Sequence, residues 1–288
     1  MESKNRNVWI IVAVVAVVLC FCVAMATVIG VLSARAVRTA VLDLPDISWG
    51  TLSESERVVE SFAAGEAPSL RIDDFAGEIT VRVGESDRIQ VTATRLARRV
   101  SDLDRIEIEM YEEGGGVVVK TRKLANLNNV TVRFAVTVPA RTRLELHTGA
   151  GTIDVRGIEN DVKVFTGAGT VSLRDVVGDI EAHTGAGLME VRRTRGRAEI
   201  DTGAGQIEFQ GELQGDCRFT TGAGEIRLEL PADLNMEVDL SSGLGSVDVG
   251  YPVVGQTSTR SAKGTIGTGS EGSIYAFTGV GSIDLQPR

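Results

Sequence analysis

The four residues Thr-Gly-Ala-Gly begin at Thr148 and recur at Thr166, Thr184, Thr202 and Thr221. Looser copies follow at Ser242-Gly-Leu-Gly, Ser261-Ala-Lys-Gly and Thr278-Gly-Val-Gly. The steps between copies are 18, 18, 18, 19, 21, 19 and 17 residues. A unit this short cannot enclose an apolar interior alone, so its copies must stack and bury their faces against one another.

Inside a unit the apolar residues alternate. Ile153 and Val155 are followed, after a turn near Gly157, by Val162 and Val164. The next units give Val171, Leu173, Ile180 and Ala182, then Met189, Val191, Ala198 and Ile200, then Ile207, Phe209, Cys217 and Phe219. Period two means strands with one face inward. The fold class expected is therefore all-β: a single-stranded β-helix, or β-solenoid, of about 18 residues per coil, with two short strands and two corners in each.

Stacked strands lie about 4.8 Å apart, which turns sequence phase into columns. One inner column is expected to run Ile153, Val171, Met189, Ile207, Ile226, Val247, Ile266, Ile283. The alanine of each Thr-Gly-Ala-Gly is expected to point inward at a narrow corner, with Leu244 and Val280 in its place where the last coils widen. The threonines are expected to form a hydroxyl ladder. The structural corners are assigned to Gly149, Gly151, Gly167, Gly169, Gly185, Gly187, Gly203, Gly205, Gly222, Gly224, Gly243, Gly245, Gly279 and Gly281, because glycine accepts positive φ without steric cost.

Ahead of the repeats the chain divides into four parts. Residues 1–7 form a short polar tail with Lys4 and Arg6. Residues 8–32 carry no charge and are long enough to span a bilayer as one transmembrane helix. A cleaved signal peptide has a shorter apolar stretch, although Ala34-Arg35-Ala36 has some look of a cleavage site, and Leu19 before Cys20 does not suit lipoprotein processing. Lys4 and Arg6 on one side balance Arg35 and Arg38 on the other, so the charge rule alone does not set orientation. A short tail before a first span points to an N-terminus in the cytoplasm, with the C-terminal part outside it in the cell envelope. Residues 33–56 read as a juxtamembrane linker. Residues 57–146 read as a strand-rich cap lacking the 18-residue phase, with strands over 58–62, 69–73, 78–83, 89–94, 105–112, 117–121, 130–138 and 143–146, and the repeats occupy 147–288. The last half coil, Ile283-Asp-Leu285, ends in Gln286-Pro287-Arg288, where proline would blunt an open sheet edge.

Several chemistries fit poorly. The net charge of −9 comes with no basic stripe, which disfavours nucleic acid as a partner. No Cys/His metal spacing exists, and Cys217 occupies an inward position where it reads as a small buried hydrophobe. A calcium β-roll needs an aspartate in its turn, where this chain has an apolar residue. No helix follows any Gly-x-Gly to hold a phosphate. The outward row Asp154, Ser172, Glu190, Glu208, Arg227, Asp248, Asp284 brings Glu190 and Glu208 onto adjacent rungs, near the spacing of a retaining glycosidase pair. No aromatic sugar platform accompanies them, and a solvated strand face explains them. A second row, just before each corner, holds both histidines: His147, Phe165, His183, Asp201, Thr220, Ser241. The histidines stand two rungs apart, too far to share one metal ion, and His147, Phe165 and His183 form a candidate contact patch. No catalytic, cofactor-binding or metal residues are assigned.

Phe75-Ala-Gly-Glu-Ile-Thr-Val, then Val130-Thr-Val-Arg-Phe-Ala-Val-Thr-Val-Pro, then Leu144-Glu-Leu and the repeated Gly-x-Gly coils, all after an N-terminal span, resemble the bacterial putative-adhesin domain of unknown function, the DUF4097 type. The likeness runs from about Arg57 to Leu285. It implies a β-solenoid, right-handed, on a bacterial envelope protein, and it supplies no catalytic or ligand-binding motif. The expected role is non-enzymatic: adhesion, scaffolding or interaction with a protein or carbohydrate partner at the envelope, the membrane being engaged through residues 8–32. Homo-oligomers by end-to-end stacking are compatible with it. The alternatives are an envelope-stress sensor or regulatory subunit, and a carbohydrate-active enzyme using Glu190 and Glu208.

Overall fold

The computed structural model describes residues 54–288 except 126 and 128. The expected tail, the membrane helix and all of the linker except its last three residues lie outside the described residues. Among the described residues no helix is long and apolar enough to cross a membrane.

The described chain is nearly all strand. In order it runs β1 (Glu54–Ala63), β2 (Ser69–Asp74), β3 (Gly77–Val83), β4 (Arg88–Ala97), a one-turn helix α1 (Val100–Leu103), β5 (Ile106–Glu113), β6 (Gly116–Lys123), β7 (Val130–Val138) and β8 (Arg143–Arg156). It continues with β9 (Val162–Arg174), β10 (Ile180–Gly196), β11 (Ala198–Leu213), β12 (Cys217–Ala223), β13 (Ile226–Leu230), β14 (Glu237–Val249), β15 (Val254–Ser258), β16 (Ser261–Thr265) and β17 (Ser273–Pro287). Glu54–Glu56, expected as linker, already belong to β1.

From β8 to β11 the coils stack parallel, in chain order and in register. Thr148 pairs with Thr166, Thr166 with Thr184 and Thr184 with Thr202. Ile153, Val171, Met189 and Ile207 are fully buried neighbours along this stack. Each such side chain contributes about 1.5–3 kcal/mol by leaving water.

Both ends depart from chain order. At the start, β2 and β3 pair parallel with β8, aligning Asp74 with Thr148 and Gly77 with Gly151. On their far side, β2 pairs parallel with β6 and β3 with β7. The segment expected as a cap thus supplies two coils to the stack, and the earlier one in sequence lies further in. Antiparallel strands finish this end: β5 on β6, β4 on β7 and β1 on β4. At the other end, β12 and β13 pair not with β14 but with β17, which in turn pairs along its length with β14. Antiparallel β16 and β15 then cover the first half of β14.

Ile283 lies between Ile226 and Val247 in the inner column, not at its end. Ile266 is buried but stands outside that column, its N–H donating to the Met236 carbonyl. Ser261-Ala-Lys-Gly forms the antiparallel β16 and no corner. Pro287 accordingly blunts no open edge, since it sits opposite Leu230 inside the stack.

The corner chemistry also differs from expectation. The threonines point inward: Thr148, Thr166, Thr184, Thr202, Thr221, Thr278 and Ser242 are all buried. The alanines point outward and are exposed, as are Leu244 at 65 % and Val280 at 53 %. Within each strand the inward residues alternate, Leu144, Leu146, Thr148, and then resume at Ile153, an odd step that resets the phase through the corner. No hydroxyl ladder forms. Thr166 and Thr184 donate to the carbonyl of the alanine two residues on, while Thr221, Thr278 and Ser242 donate to a glycine carbonyl of the neighbouring coil.

The two glycines of a corner serve different needs. Gly169 has φ +141, and a Cβ there would lie 1.8 Å from the Gly151 carbonyl oxygen. Gly167 has no such backbone demand, yet its Cβ would lie 2.4 Å from the Gly149 oxygen. Close stacking of main chain on main chain, as much as positive φ, fixes the repeat.

Candidate functional site

The row expected as a contact patch assembles on the outer face of β8, β9 and β10. His147 pairs with Phe165, and Phe165 with His183. Their rings stack at 4.7 and 5.0 Å between centroids, with interplanar angles of 13° and 14°. In-register stacking imposes this geometry, because equivalent side chains on adjacent rungs stand one strand spacing apart. Carboxylates hold the imidazoles at their edges. His147 Nε2 lies 3.1 Å from Glu145, and His183 lies 3.2 Å from Asp201 through Nδ1 and 3.5 Å from Glu181 through Nε2. Lys163 bonds Glu181 and holds its carboxyl below the usual range. Partial burial raises Asp201 despite His183 beside it.

These three rings border a shallow groove of about 710 Å³. Its floor is the exposed glycine column Gly149, Gly167 and Gly185, and Asp74, Phe75 and Thr121 close one end. Asp74 is the residue that sequence reading missed. It is buried and occupies the threonine position of its coil. Thr121 Oγ1 donates to its Oδ1 at 2.7 Å and Thr148 Oγ1 to its Oδ2 at 3.3 Å. Burial pushes its carboxyl up to about 6, against the opposing pull of those hydroxyls and of the Phe75 and Ala76 amides. The signal was available: Asp74-Phe-Ala-Gly aligns with Thr148-Gly-Ala-Gly, with an acid in the threonine column and a phenylalanine at the first glycine.

The acidic row is engaged by arginines. Arg174 bonds one Glu190 oxygen at 2.7 Å and Arg192 the other at 2.6 Å, and Arg192 reaches Glu208 at 3.1 Å. The arginines occupy the oxygens that a glycosidase pair would turn toward a sugar and a water. Cys217 is free and buried, with its thiol pushed up by burial, which suppresses thiolate chemistry. Among the described residues no group of three or more His, Cys, Asp or Glu is placed to hold a metal ion. The fourteen corner glycines all lie at corners of the stack. The second of each pair has positive φ, from Gly151 through Gly281, and the first abuts the main chain of a neighbouring coil.

No curated protein matches the chain. Among solved structures, it is similar to a putative cell adhesion protein from Clostridium sporogenes, with 12 % identity and a TM-score of 0.36, covering 82 % of this chain and 100 % of the other. It is also similar to a putative adhesin from Bacteroides fragilis, with 10 % identity and a TM-score of 0.38, covering 81 % and 97 %. A third, a putative adhesin from Parabacteroides merdae, has 14 % identity and a TM-score of 0.26, covering 81 % and 96 %. Likeness at these scores adds nothing to a functional reading. Residues 143–285, from the first strand of the Thr-Gly-Ala-Gly array into the inserted β17, match the Toastrack DUF4097 family, a domain of unknown function to which this part of the chain is similar.

Proposed function

We propose that this chain is a non-enzymatic interaction module of the cell envelope, a β-solenoid held at the membrane by residues 8–32 with the stack outside the cytoplasm. The observation that carries this reading is the His147–Phe165–His183 stack along an open groove. The rings and their carboxylate partners are fixed before any partner arrives, so docking orders few side chains and loses little affinity to entropy. The coils beneath are locked by main-chain contact at both glycines of every corner. Such a surface suits recognition better than turnover: it is shallow, and its flanking carboxylates are already engaged.

Two measurements test the reading together. Protease added to intact cells, after permeabilising any outer membrane, should remove a C-terminal tag. Deletion of residues 149–285 should abolish attachment or partner capture, and Phe165→Ala should reduce it without unfolding the chain. A tag protected until the inner membrane is lysed, or attachment unchanged in both variants, would overturn the proposal.

A further inference from the structure

The inward corner position is threonine or serine in seven coils and aspartate in one. The hydroxyls at Thr166, Thr184, Thr221, Thr278 and Ser242 settle onto main-chain carbonyls. Asp74 in the same place instead brings a carboxylate into a buried site, where its ionised form is disfavoured. Buried carboxylates are ordinarily matched by a cation. Among the described residues Asp74 has none: its hydrogen-bond partners are the Thr121 and Thr148 hydroxyls. The nearby cations are committed elsewhere. Arg71 bonds Asp73 at 3.0 Å, Lys120 lies over the Tyr111 ring at 5.7 Å, and Lys123 lies over the Phe75 ring at 4.9 Å.

Asp74 also closes the end of the groove, and no lysine or arginine lines that groove anywhere along its length. The lining is carboxylate, threonine hydroxyl, glycine main chain and aromatic edge. We propose that the groove receives a lysine side chain of a partner polypeptide, its ammonium at Asp74 and its methylene stem along the edge of Phe165. This rests on the reading of the face as a contact surface and names what it contacts.

The alternatives fit less well. An anionic ligand would meet Asp73 and Asp74. A sugar stacks on open ring faces, whereas here the Phe165 faces are covered by His147 and His183. A guanidinium prefers a carboxylate with both oxygens open to its fork, and each Asp74 oxygen already accepts a hydroxyl. A compact ammonium needs only one remaining lone pair. The groove passes three coils, Gly149 to Gly185, leaving room for the partner's main chain on either side of the lysine.

The test is titration of the full chain, in detergent, with tetralysine at pH 7.5. Acetylated tetralysine and spermidine serve as comparison probes. Tetralysine should bind and its acetylated form should not. Asp74→Thr, which restores the residue of every other Thr-Gly-Ala-Gly coil, should weaken binding about tenfold while keeping or raising the melting temperature. Phe165→Ala should also weaken it. Unchanged affinity in Asp74→Thr overturns the inference, and so does failure of tetralysine to bind. Spermidine binding as tightly, with the same loss in Asp74→Thr, overturns the polypeptide assignment. Attachment lost in Phe165→Ala but kept in Asp74→Thr would sink this inference while leaving the broader proposal standing.

Discussion

The coils from β8 to β11 and the coils at the two ends obey different rules. In the middle, order in the stack follows order in the chain, and each rung repeats the last residue for residue. At each end an inner rung comes from outside the chain order: β2 and β3 lie inside β6 and β7, and β17 lies inside β14. Both ends then finish in antiparallel strands. A stack that simply stopped would leave a bare parallel edge open to other chains. Folding back lets the outermost coil be made by a segment free to carry an antiparallel hairpin. Repetition therefore governs the shape of a rung, while the need to close the ends governs which rung sits where.

The largest effect should come from the middle. A side chain at Gly169 or Gly187 would place Cβ 1.7–1.8 Å from a carbonyl oxygen of the next coil, so Gly187→Val should cost more than about 4 kcal/mol or prevent folding. The exposed Ala186→Ser beside it should stay within about 0.5 kcal/mol by denaturant unfolding. The order at the C-terminal end can be broken directly. Arg227→Cys with Asp284→Cys joins positions on adjacent rungs, within reach of a disulfide, and should crosslink on oxidation. Arg227→Cys with Asp248→Cys should not, because β17 separates them. Ile283→Ala, buried on both sides, should cost about 2–5 kcal/mol.

Asp74→Thr sharpens the comparison at the other end. The Asp74 carboxyl is raised to about 6 in the folded chain, so between that value and its unfolded range the native state holds the proton more firmly. Folding is penalised above pH 6, and the penalty fades as pH falls toward 4. The variant should exceed the parent in stability by about 2 kcal/mol at pH 7.5, and the gap should close by pH 4. A gap that persists at pH 4 would contradict burial as its cause. A smaller effect than that of Asp74→Thr belongs to Glu190→Gln. Its arginine partners are partly exposed, and a loss within about 1 kcal/mol is expected.

Much of this was legible in the sequence. Alternation from Val58 to Leu146 marked the eight early strands, and the repeat phase aligned Ile153, Val171, Met189 and Ile207 into one buried column. The corner was not legible, because the alternation shifts between Thr148 and Ile153 and no rule of period two says which residue turns inward. The position of β17 was hidden for another reason. Ile226, Val247 and Ile283 carry equivalent patterns, so any of them can neighbour another, and end closure makes the choice. The groove was half visible: the histidine row follows from phase, whereas Asp74 emerges only when Asp74-Phe-Ala-Gly is set against Thr148-Gly-Ala-Gly, which places an acid in the threonine column.

The inserted β17 has a consequence for how the protein is made. Its residues are synthesised after both β13 and β14, yet they fill the interior rung between them. A chain cut short before Ser273 would leave both neighbouring strands with unpaired edges and an apolar slot between them, features that invite aggregation and degradation. Assembly of this end of the stack thus waits until β17 has followed β13 and β14 out of the ribosome.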